Sequence, residues 1–148
     1  LRAGAVCNVI PETAFMDIGI RYFDKQLGKS INERISTLAK SQAESFGATA
    51  EIKWIRGYPP LVNDAASTEI AREAAVELFG ADHVFDIRQP FLGSEDFSFM
   101  LEQKPGSYVI MGNGDSAQLH NPRYDFDDRA LVPGAAYWGK LVEYYLKA

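Results

Sequence analysis

The sequence predicts an α/β (α+β) chain, with a partial ferredoxin-like layer followed by part of a three-layer α/β/α domain. Residues 3–58 show the order strand, strand, helix and strand, which is the latter part of a ferredoxin-like layer without its first strand and helix. After residue 62, strands alternate with helices, as in a sheet covered by helices. Because Pro59-Pro60 interrupts the pattern, we place the boundary at Tyr58–Val62 and predict domains of residues 1–60 and 61–148.

In the first part, three segments are predicted strands and one is a predicted helix. Ala3–Pro11 and Thr13–Phe23 are the first two strands, and alternate residues of the second are apolar, as in a half-buried strand. Ser30-Ile31-Asn32-Glu33 has the form of a capping box, which predicts a helix start, and Gly47 suits the end of that helix. Ala48–Tyr58 is the third predicted strand.

The second part contains three predicted helices. Asn63-Asp64 can cap a helix that reaches Phe79 before Gly80, and Ser94 can cap a short helix that runs through Leu101. Pro133 suits the start of the last helix. Val84–Ile87 and Ser107–Met111 are predicted to be short strands, and Gly112–Asp128 is predicted to be a long loop. The predicted buried stripe of the last helix consists of Trp138, Leu141, Val142 and Tyr145.

Composition narrows the class of protein. The chain has 148 residues, of which 47% are hydrophobic and 24% charged, as in ordinary globular domains. A net charge of −5 without a basic cluster argues against nucleic acid or an anionic membrane surface as a partner. Cys7 is the single cysteine, which favours a reducing compartment and a cytoplasmic location. No apolar run reaches the roughly 18 residues of a membrane span, and the start Leu1-Arg2 suggests a fragment or a processed product.

Three motifs occur in a specific order. Asn8-Val9-Ile10-Pro11 precedes Gly93-Ser94-Glu95-Asp96-Phe97, and Leu119-His120-Asn121-Pro122-Arg123-Tyr124-Asp125-Phe126 closes the series. This series resembles the M20 family of metal-dependent amidohydrolases and peptidases, specifically its N-acyl-amino-acid amidohydrolase branch, which includes hippurate hydrolases. The resemblance implies that residues 1–60 are part of the lid or dimerisation domain and that residues 61–148 end the catalytic metallohydrolase domain.

His120 is the candidate metal ligand. By ordinary usage, a lone loop histidine without a second ligand at metal spacing is a surface or structural residue. The resemblance implies instead that its imidazole binds a divalent metal, Zn²⁺, Mn²⁺ or Ni²⁺, with two metals in a complete site. Asn121 or Asp125 could orient the ring. His83 follows an inter-element turn and is interpreted as solvated surface.

Gly93 and Ser94 admit two interpretations. Ser94 is a good N-cap, which explains the segment structurally. Alternatively, a glycine before a helix N-terminus leaves backbone N–H groups free for an anion, and the resemblance implies that this loop lines the substrate cleft near the carboxylate of the acyl amino acid.

Asn8 and Arg21 are the second pair of candidate substrate contacts. Asn8 can be an ordinary polar residue near a strand end, and Arg21 can pair with an acidic neighbour across the hairpin. The resemblance implies that both reach the substrate, and the guanidinium of Arg21 offers a bidentate fork for a carboxylate.

The resemblance also implies that most of the chemistry lies elsewhere. The chain has no His-x-x-x-Cys-Gly-His-Asp stretch and no Glu-Glu pair, which in the family supply ligands and the general base. We therefore predict part of an enzyme that hydrolyses N-acyl amino acids, inactive alone, which needs the N-terminal catalytic portion or another copy of itself as a partner. The alternatives are a non-catalytic dimerisation module and a small-molecule-binding module.

Overall fold

The computed structural model describes residues 1–146, which form two units, Leu1–Ile55 and a second that begins at Arg56. Within these described residues, the regular structure is mainly helical, with one two-stranded sheet. The elements in chain order are β1 (Arg2–Ala3), β2 (Ala14–Phe15), α1 (Lys25–Ser45), α2 (Ala65–Phe79), α3 (Phe97–Leu101) and α4 (Leu131–Tyr145), with 3₁₀ turns at Ala81–His83 and Asp128–Ala130. None of the helices within residues 1–146 is both long and apolar enough to cross a membrane.

The strands of the first unit are much shorter than predicted. β1 and β2 are antiparallel, with Arg2 opposite Phe15 and Ala3 opposite Ala14. Ala3–Pro11 is not a continuous strand, because Gly4 has a φ of +64° and the chain then bends. Thr13–Phe23 is a strand only over β2. An alternating pattern fits a half-buried strand, but a neighbouring strand must supply the hydrogen bonds that maintain it.

The helix of the first unit, α1, begins earlier than predicted. Asp24 is its N-cap, and the Asp24 carboxylate accepts a hydrogen bond from the Leu27 amide at 2.7 Å. The predicted capping box at Ser30–Glu33 is therefore wrong, and the Ser30 hydroxyl instead donates to the carbonyl oxygen of Gln26. The end is as predicted: Gly47 has a φ of +70°, and its amide and the next one bond back into the last turn, as in a Schellman motif.

Two aromatic residues pack against α1. A Cβ atom at the buried Gly28 would lie 2.6 Å from the nearest ring carbon of Tyr22, so only glycine fits under this ring. The indole N–H of Trp54 donates to the hydroxyl of Ser36 at 3.1 Å. The segments on both sides of the helix are thus attached to it by Tyr22 and Trp54.

The core of the second unit lies between α2 and α4. Its buried apolar residues are Ala71, Ala74 and Tyr137. The N-terminus of α2 is as predicted, because the Asp64 carboxylate accepts hydrogen bonds from the amide and the hydroxyl of Ser67. The small alanines of α2 let α4 approach closely enough for the ring of Tyr137 to be enclosed.

The predicted buried stripe of α4 is wrong. Trp138, Val142 and Tyr145 are exposed, whereas Tyr137 is buried and Leu141 is half-buried. Polar contacts explain the orientation: the Lys140 ammonium pairs with Glu77 of α2 at 2.8 Å. The side of α4 that faces α2 therefore carries a polar contact as well as apolar side chains.

The second unit contains none of the predicted strands among the described residues. Val84–Ile87 and Ser107–Met111 are irregular, as is Ala48–Tyr58 in and beyond the first unit. The backbone of Tyr108 forms hydrogen bonds with the side chain of Asn63 rather than with a neighbouring strand. The Asn63 carboxamide accepts from the Tyr108 amide and donates to the Tyr108 carbonyl oxygen, each at 2.9 Å. The ferredoxin-like and three-layer arrangements remain predictions, as does the assignment of residues 1–60 and 61–148 to two domains.

Candidate functional site

His120 lies at the corner of a turn in the loop between Gly112 and the 3₁₀ turn that begins at Asp128. The amide of Asn121 donates to the carbonyl oxygen of Gln118 at 3.1 Å, which closes the turn around the histidine. Among residues 1–146, His120 is the one non-glycine residue with a positive φ, +68°. Left-handed backbone is costly for a side chain with a Cβ and accumulates at functional sites. The side chain is exposed.

The two residues predicted to orient the ring make other contacts. The Asn121 carboxamide oxygen accepts from the Arg123 amide at 2.9 Å, which shapes the chain directly after the histidine. Asp125 contributes its carbonyl oxygen to a hydrogen bond from Asn113, and it is among the residues that line a cavity beside the loop. His120 does not line this cavity. An orienting role for either residue stays a prediction.

Sequence reasoning missed Asn113. Asn113 lies in the predicted long loop Gly112–Asp128 without a predicted role of its own, and the next residue, Gly114, has a φ of +72°. The structure adds that the Asn113 side chain connects the two ends of the loop that carries His120. An asparagine between two glycines at the start of a long loop is the available signal, because an amide can both donate and accept across a loop.

Gly93 and Ser94 lie in an exposed, irregular segment of the same unit. The prediction that Ser94 caps the short helix is wrong, because α3 starts at Phe97 and has Asp96 as its N-cap residue. The nearby serine that is buried is Ser98, whose hydroxyl donates to the carbonyl oxygen of Glu95 at 2.6 Å. The hydrogen bond from Ser98 thus fixes the end of this segment at Glu95, whereas a Cβ atom at Gly93 would meet no other atom within 4 Å.

Asn8 and Arg21 belong to the first unit and are both exposed. Arg21 donates from Nη1 to the carbonyl oxygen of Ile20 at 3.3 Å and, within residues 1–146, pairs with no carboxylate. Asp17, the acidic residue nearest to Arg21 in the same predicted strand, is paired with Arg2 at 3.2 Å instead. The alternative of a structural ion pair for Arg21 is therefore wrong, and its guanidinium is available for a ligand.

The donor set for a metal is incomplete in the described part of the chain. No three His, Cys, Asp or Glu side chains within residues 1–146 come together in a group that could hold a metal ion. An exposed imidazole on a turn suits a divalent transition metal chemically, and His120 fits the role of one ligand among several. His83, in the 3₁₀ turn Ala81–His83, is exposed as predicted.

Charge near the loop is balanced locally. Hydrogen bonds from Arg129 hold the pKa of the Asp127 carboxyl below its ordinary value. The guanidinium of Arg129 donates to both carboxylate oxygens of Asp127, from Nε to Oδ1 at 2.9 Å and from Nη2 to Oδ2 at 2.6 Å. After α3, burial and then the carboxylate of Glu95 raise the pKa of the Tyr108 hydroxyl. Tyr108 therefore stays protonated, and Asp127 stays ionised, at neutral pH.

Comparison with known proteins supports the resemblance. The sequence model of Peptidase family M20/M25/M40 matches residues 3–144. The chain is 34% identical to the N-acetylcysteine deacetylase of Bacillus subtilis, over 95% of this chain and 36% of that protein. It is 32% identical to the hippurate hydrolase of Campylobacter jejuni, over 98% of this chain and 38% of that protein.

A solved structure gives the same result. A Bacillus subtilis protein described as a dinuclear metal-binding peptidase of the M20 family superimposes with a TM-score of 0.75 at 30% identity. The superposition covers 99% of this chain and 40% of the other. The chain thus spans between 36% and 40% of the length of these relatives. The predicted resemblance is confirmed, and the chain belongs to the Peptidase family M20/M25/M40.

Proposed function

We propose that this chain is part of a metal-dependent amidohydrolase that cleaves the amide bond of N-acyl amino acids. The relatives that support this substrate class are an N-acetylcysteine deacetylase and a hippurate hydrolase, both of which act on an amide next to an amino-acid carboxylate. The structural relative is a dinuclear metal-binding peptidase, which supports the use of divalent metal. When bound, Zn²⁺, Mn²⁺ or Ni²⁺ would polarise the carbonyl group and activate water.

The chain's own residues bind and orient rather than perform the whole reaction. His120 donates one imidazole nitrogen to the metal centre. The guanidinium of Arg21 pairs with the substrate carboxylate, with Asn8 as a further polar contact in the same unit. Gly93 and Ser94 are the further proposed substrate contacts. The remaining ligands and the general base come from an N-terminal catalytic portion.

The observation that carries the proposal is the backbone at His120. A histidine with a φ of +68° occupies a conformation that its side chain disfavours, at the position where the family motif has its metal ligand. A positive φ is uncommon for residues other than glycine. His83, in contrast, is exposed and has no positive φ. The two histidines therefore form a natural pair of test and control.

The test is hydrolysis of N-acetylcysteine and hippurate by the complete polypeptide that carries this sequence, loaded with Zn²⁺, Mn²⁺ or Ni²⁺. His120→Ala should reduce both the bound metal and the rate of amide hydrolysis by at least about 100-fold, because a ligand is lost. His83→Ala should leave both unchanged. The proposal fails if no metal supports release of the free amino acid, or if both variants behave alike.

The alternative function is association without catalysis, in which residues 1–60 act as a dimerisation module. The exposed apolar side chains of this region, among them Ile10, Phe15 and Ile55, favour a covering partner. In this alternative the partner is a second copy of the chain. A metal-free homodimer whose stability is indifferent to His120→Ala would support this alternative.

The proposed setting is a reducing compartment such as the cytoplasm. Cys7 is exposed and its thiol is free, and an exposed free thiol persists most easily where disulfides are kept reduced. The net charge of −5 disfavours nucleic acid as a partner. The expected ligands are thus small N-acyl amino acids and divalent metal.

A further inference from the structure

The loop that carries His120 runs from Asn113 to Asp127 and is called the His120 loop below. It contains no helix or strand, so side-chain contacts and turns must define its shape. Most of its residues are exposed, whereas Asn113 and Asp127, at its two ends, are both half-buried. Both ends of the loop are therefore partly shielded from solvent.

The carboxamide of Asn113 connects these ends with three hydrogen bonds. Its nitrogen donates to the carbonyl oxygen of Asp125 at 2.9 Å and to the hydroxyl of Ser116 at 3.0 Å. Its oxygen accepts from the amide of Asp127 at 2.9 Å. One side chain thus supplies two donors and one acceptor, a combination that a carboxylate of the same shape cannot offer.

The ends also approach closely beside this contact. A Cβ atom at Gly114 would lie 3.2 Å from a carboxylate oxygen of Asp127, and the φ of +72° at this glycine is unfavourable for other residues. The Asp127 carboxylate is in turn fixed by Arg129. The C-terminal end of the loop, at Asp127, is therefore attached both to Asn113 and to the 3₁₀ turn that precedes α4.

Between its ends, the loop consists of consecutive turns. The first closes around His120, and the second is closed by the Tyr124 amide, which donates to the carbonyl oxygen of Asn121 at 2.9 Å. Asp125, whose carbonyl oxygen accepts from Asn113, follows directly. The chain from His120 to Asn113 is thus a short series of hydrogen-bonded turns, which transmits the position of the loop ends to the histidine.

We propose that Asn113 is a positioning residue that holds the His120 loop in the shape that presents the imidazole to a divalent metal. This inference rests on the proposed metal role of His120. Closing a loop in advance removes the conformational entropy that metal binding would otherwise have to overcome. Asn113 touches neither metal nor substrate in this role, and its effect is on how firmly the ligand is presented.

The matched control is Asn63. Its carboxamide holds Tyr108 with the same type of paired contact, a donor and an acceptor each at 2.9 Å, and it is also half-buried. Asn63→Ala therefore removes an equivalent side chain from the same unit without touching the His120 loop. A general loss of stability would appear in both variants, whereas a positioning effect would appear in Asn113→Ala alone.

The experiment measures amide hydrogen exchange of Asp127 and the affinity for Zn²⁺ alone, both in the complete polypeptide. Asn113→Ala should accelerate exchange at Asp127 about tenfold, because the amide loses its acceptor, and should weaken Zn²⁺ binding by about 10- to 100-fold. Asn63→Ala should change neither. A second variant, Asn113→Asp, keeps the acceptor for Asp127 but loses both donors, and should weaken Zn²⁺ binding with a smaller change in exchange.

The outcomes separate this inference from the proposed function. Unchanged exchange at Asp127 in Asn113→Ala overturns the loop closure itself. Faster exchange with unchanged Zn²⁺ affinity, while His120→Ala abolishes binding, overturns the positioning role and leaves the proposed function intact. Unchanged Zn²⁺ affinity in His120→Ala overturns the metal role and the positioning inference with it. Loss of affinity in Asn63→Ala equal to that in Asn113→Ala also overturns the positioning role.

Discussion

The hydroxyl of Tyr137 in α4 donates a hydrogen bond of 3.0 Å to the carbonyl oxygen of Ala71 in α2. Both residues are only 6% exposed. Burial raises the pKa of this hydroxyl, so it remains a donor at neutral pH. The contact joins the two helices of the second unit at the centre of their interface, and the ring of Tyr137 also lies 6.4 Å from that of Phe79.

Removing this hydroxyl should destabilise the second unit. Tyr137→Phe keeps the ring and loses the hydrogen bond, which should lower the free energy of unfolding by about 1 kcal/mol. Urea denaturation followed by Trp138 fluorescence in a Trp54→Phe background reports on this unit. Tyr145→Phe alters an exposed tyrosine of the same helix and should change stability by less than about 0.5 kcal/mol. Equal losses in the two variants would contradict the role of the contact.

A pair of glycine substitutions in two helices should have opposite effects. Alanine in a helix interior is normally more stable than glycine by about 1 kcal/mol, and Gly139→Ala should gain close to this because its surroundings are open. Gly28→Ala should instead lose about 1–3 kcal/mol, since its Cβ would lie 2.6 Å from the Tyr22 ring.

The measurement for Gly28 is urea denaturation followed by Trp54 fluorescence in a Trp138→Phe background, because Trp54 packs on α1 in the same unit. Tyr22→Ala should remove the clash with the Cβ atom that Gly28→Ala introduces. The loss of stability caused by Tyr22→Ala should therefore be smaller in the Gly28→Ala protein than in the unaltered protein. A gain in stability for Gly28→Ala alone would show that the ring moves away freely.

The N-cap of α2 should make stability depend on acidity. Hydrogen bonds from the Ser67 amide, and then from its hydroxyl, lower the pKa of the Asp64 carboxyl below its ordinary value. Because the pKa is lower in the folded state, the ionised carboxylate adds stability above the unfolded-state pKa of about 4. This contribution is lost as the pH falls through the folded-state pKa.

Asp64→Asn preserves an acceptor for the cap but cannot ionise. The free energy of unfolding of this variant should therefore decline less steeply below about pH 4 than that of the unaltered protein. Urea denaturation at a series of pH values, with Trp138 as the probe of the second unit, measures both slopes. Parallel slopes would mean that the Asp64 carboxyl does not contribute to the acid dependence.

Helix ends with local signals were predictable from the sequence. Asp64 and Gly80 bracket α2 as expected, because an N-cap and a left-handed C-terminal glycine act on the nearest backbone groups. The motif Ser30-Ile31-Asn32-Glu33 also fits a helix start, but the helix begins earlier, directly after Asp24. A local motif cannot tell whether an earlier cap precedes it.

Features that depend on distant partners were not predictable. Segments such as Ser107–Met111 have strand composition, yet a strand requires hydrogen bonds from a neighbour that the pattern does not specify. The contacts with α2 determine which face of α4 is buried. Tyr137 bonds to Ala71 and Lys140 pairs with Glu77, so Trp138 remains exposed. For the candidate site, the motif identified His120, but its left-handed backbone and the contacts of Asn113 required the structure.

The guanidinium of Arg21, which pairs with no carboxylate of residues 1–146, leads to a prediction about substrate recognition. If Arg21 binds the substrate carboxylate, Arg21→Ala should lower kcat/KM for N-acetylcysteine by roughly 10- to 100-fold, as expected for a hydrogen bond between charged groups. Arg21→Lys should recover only part of this loss, because an ammonium group cannot form the bidentate contact. Arg2→Ala is the matched control, since Arg2 is an exposed arginine of the same unit that already pairs with Asp17.

A change in the substrate separates recognition from a general loss of activity. The carboxamide analogue of N-acetylcysteine keeps the scissile amide but lacks the negative charge, so Arg21→Ala should hardly change its kcat/KM. Steady-state hydrolysis of both compounds by the complete, metal-loaded polypeptide gives the ratio of the two effects. A loss of the same size for the carboxamide would place Arg21 in the structure of the unit rather than at the substrate. A selective loss for the carboxylate would assign its guanidinium to substrate binding, because only an interaction with that charge distinguishes the two compounds.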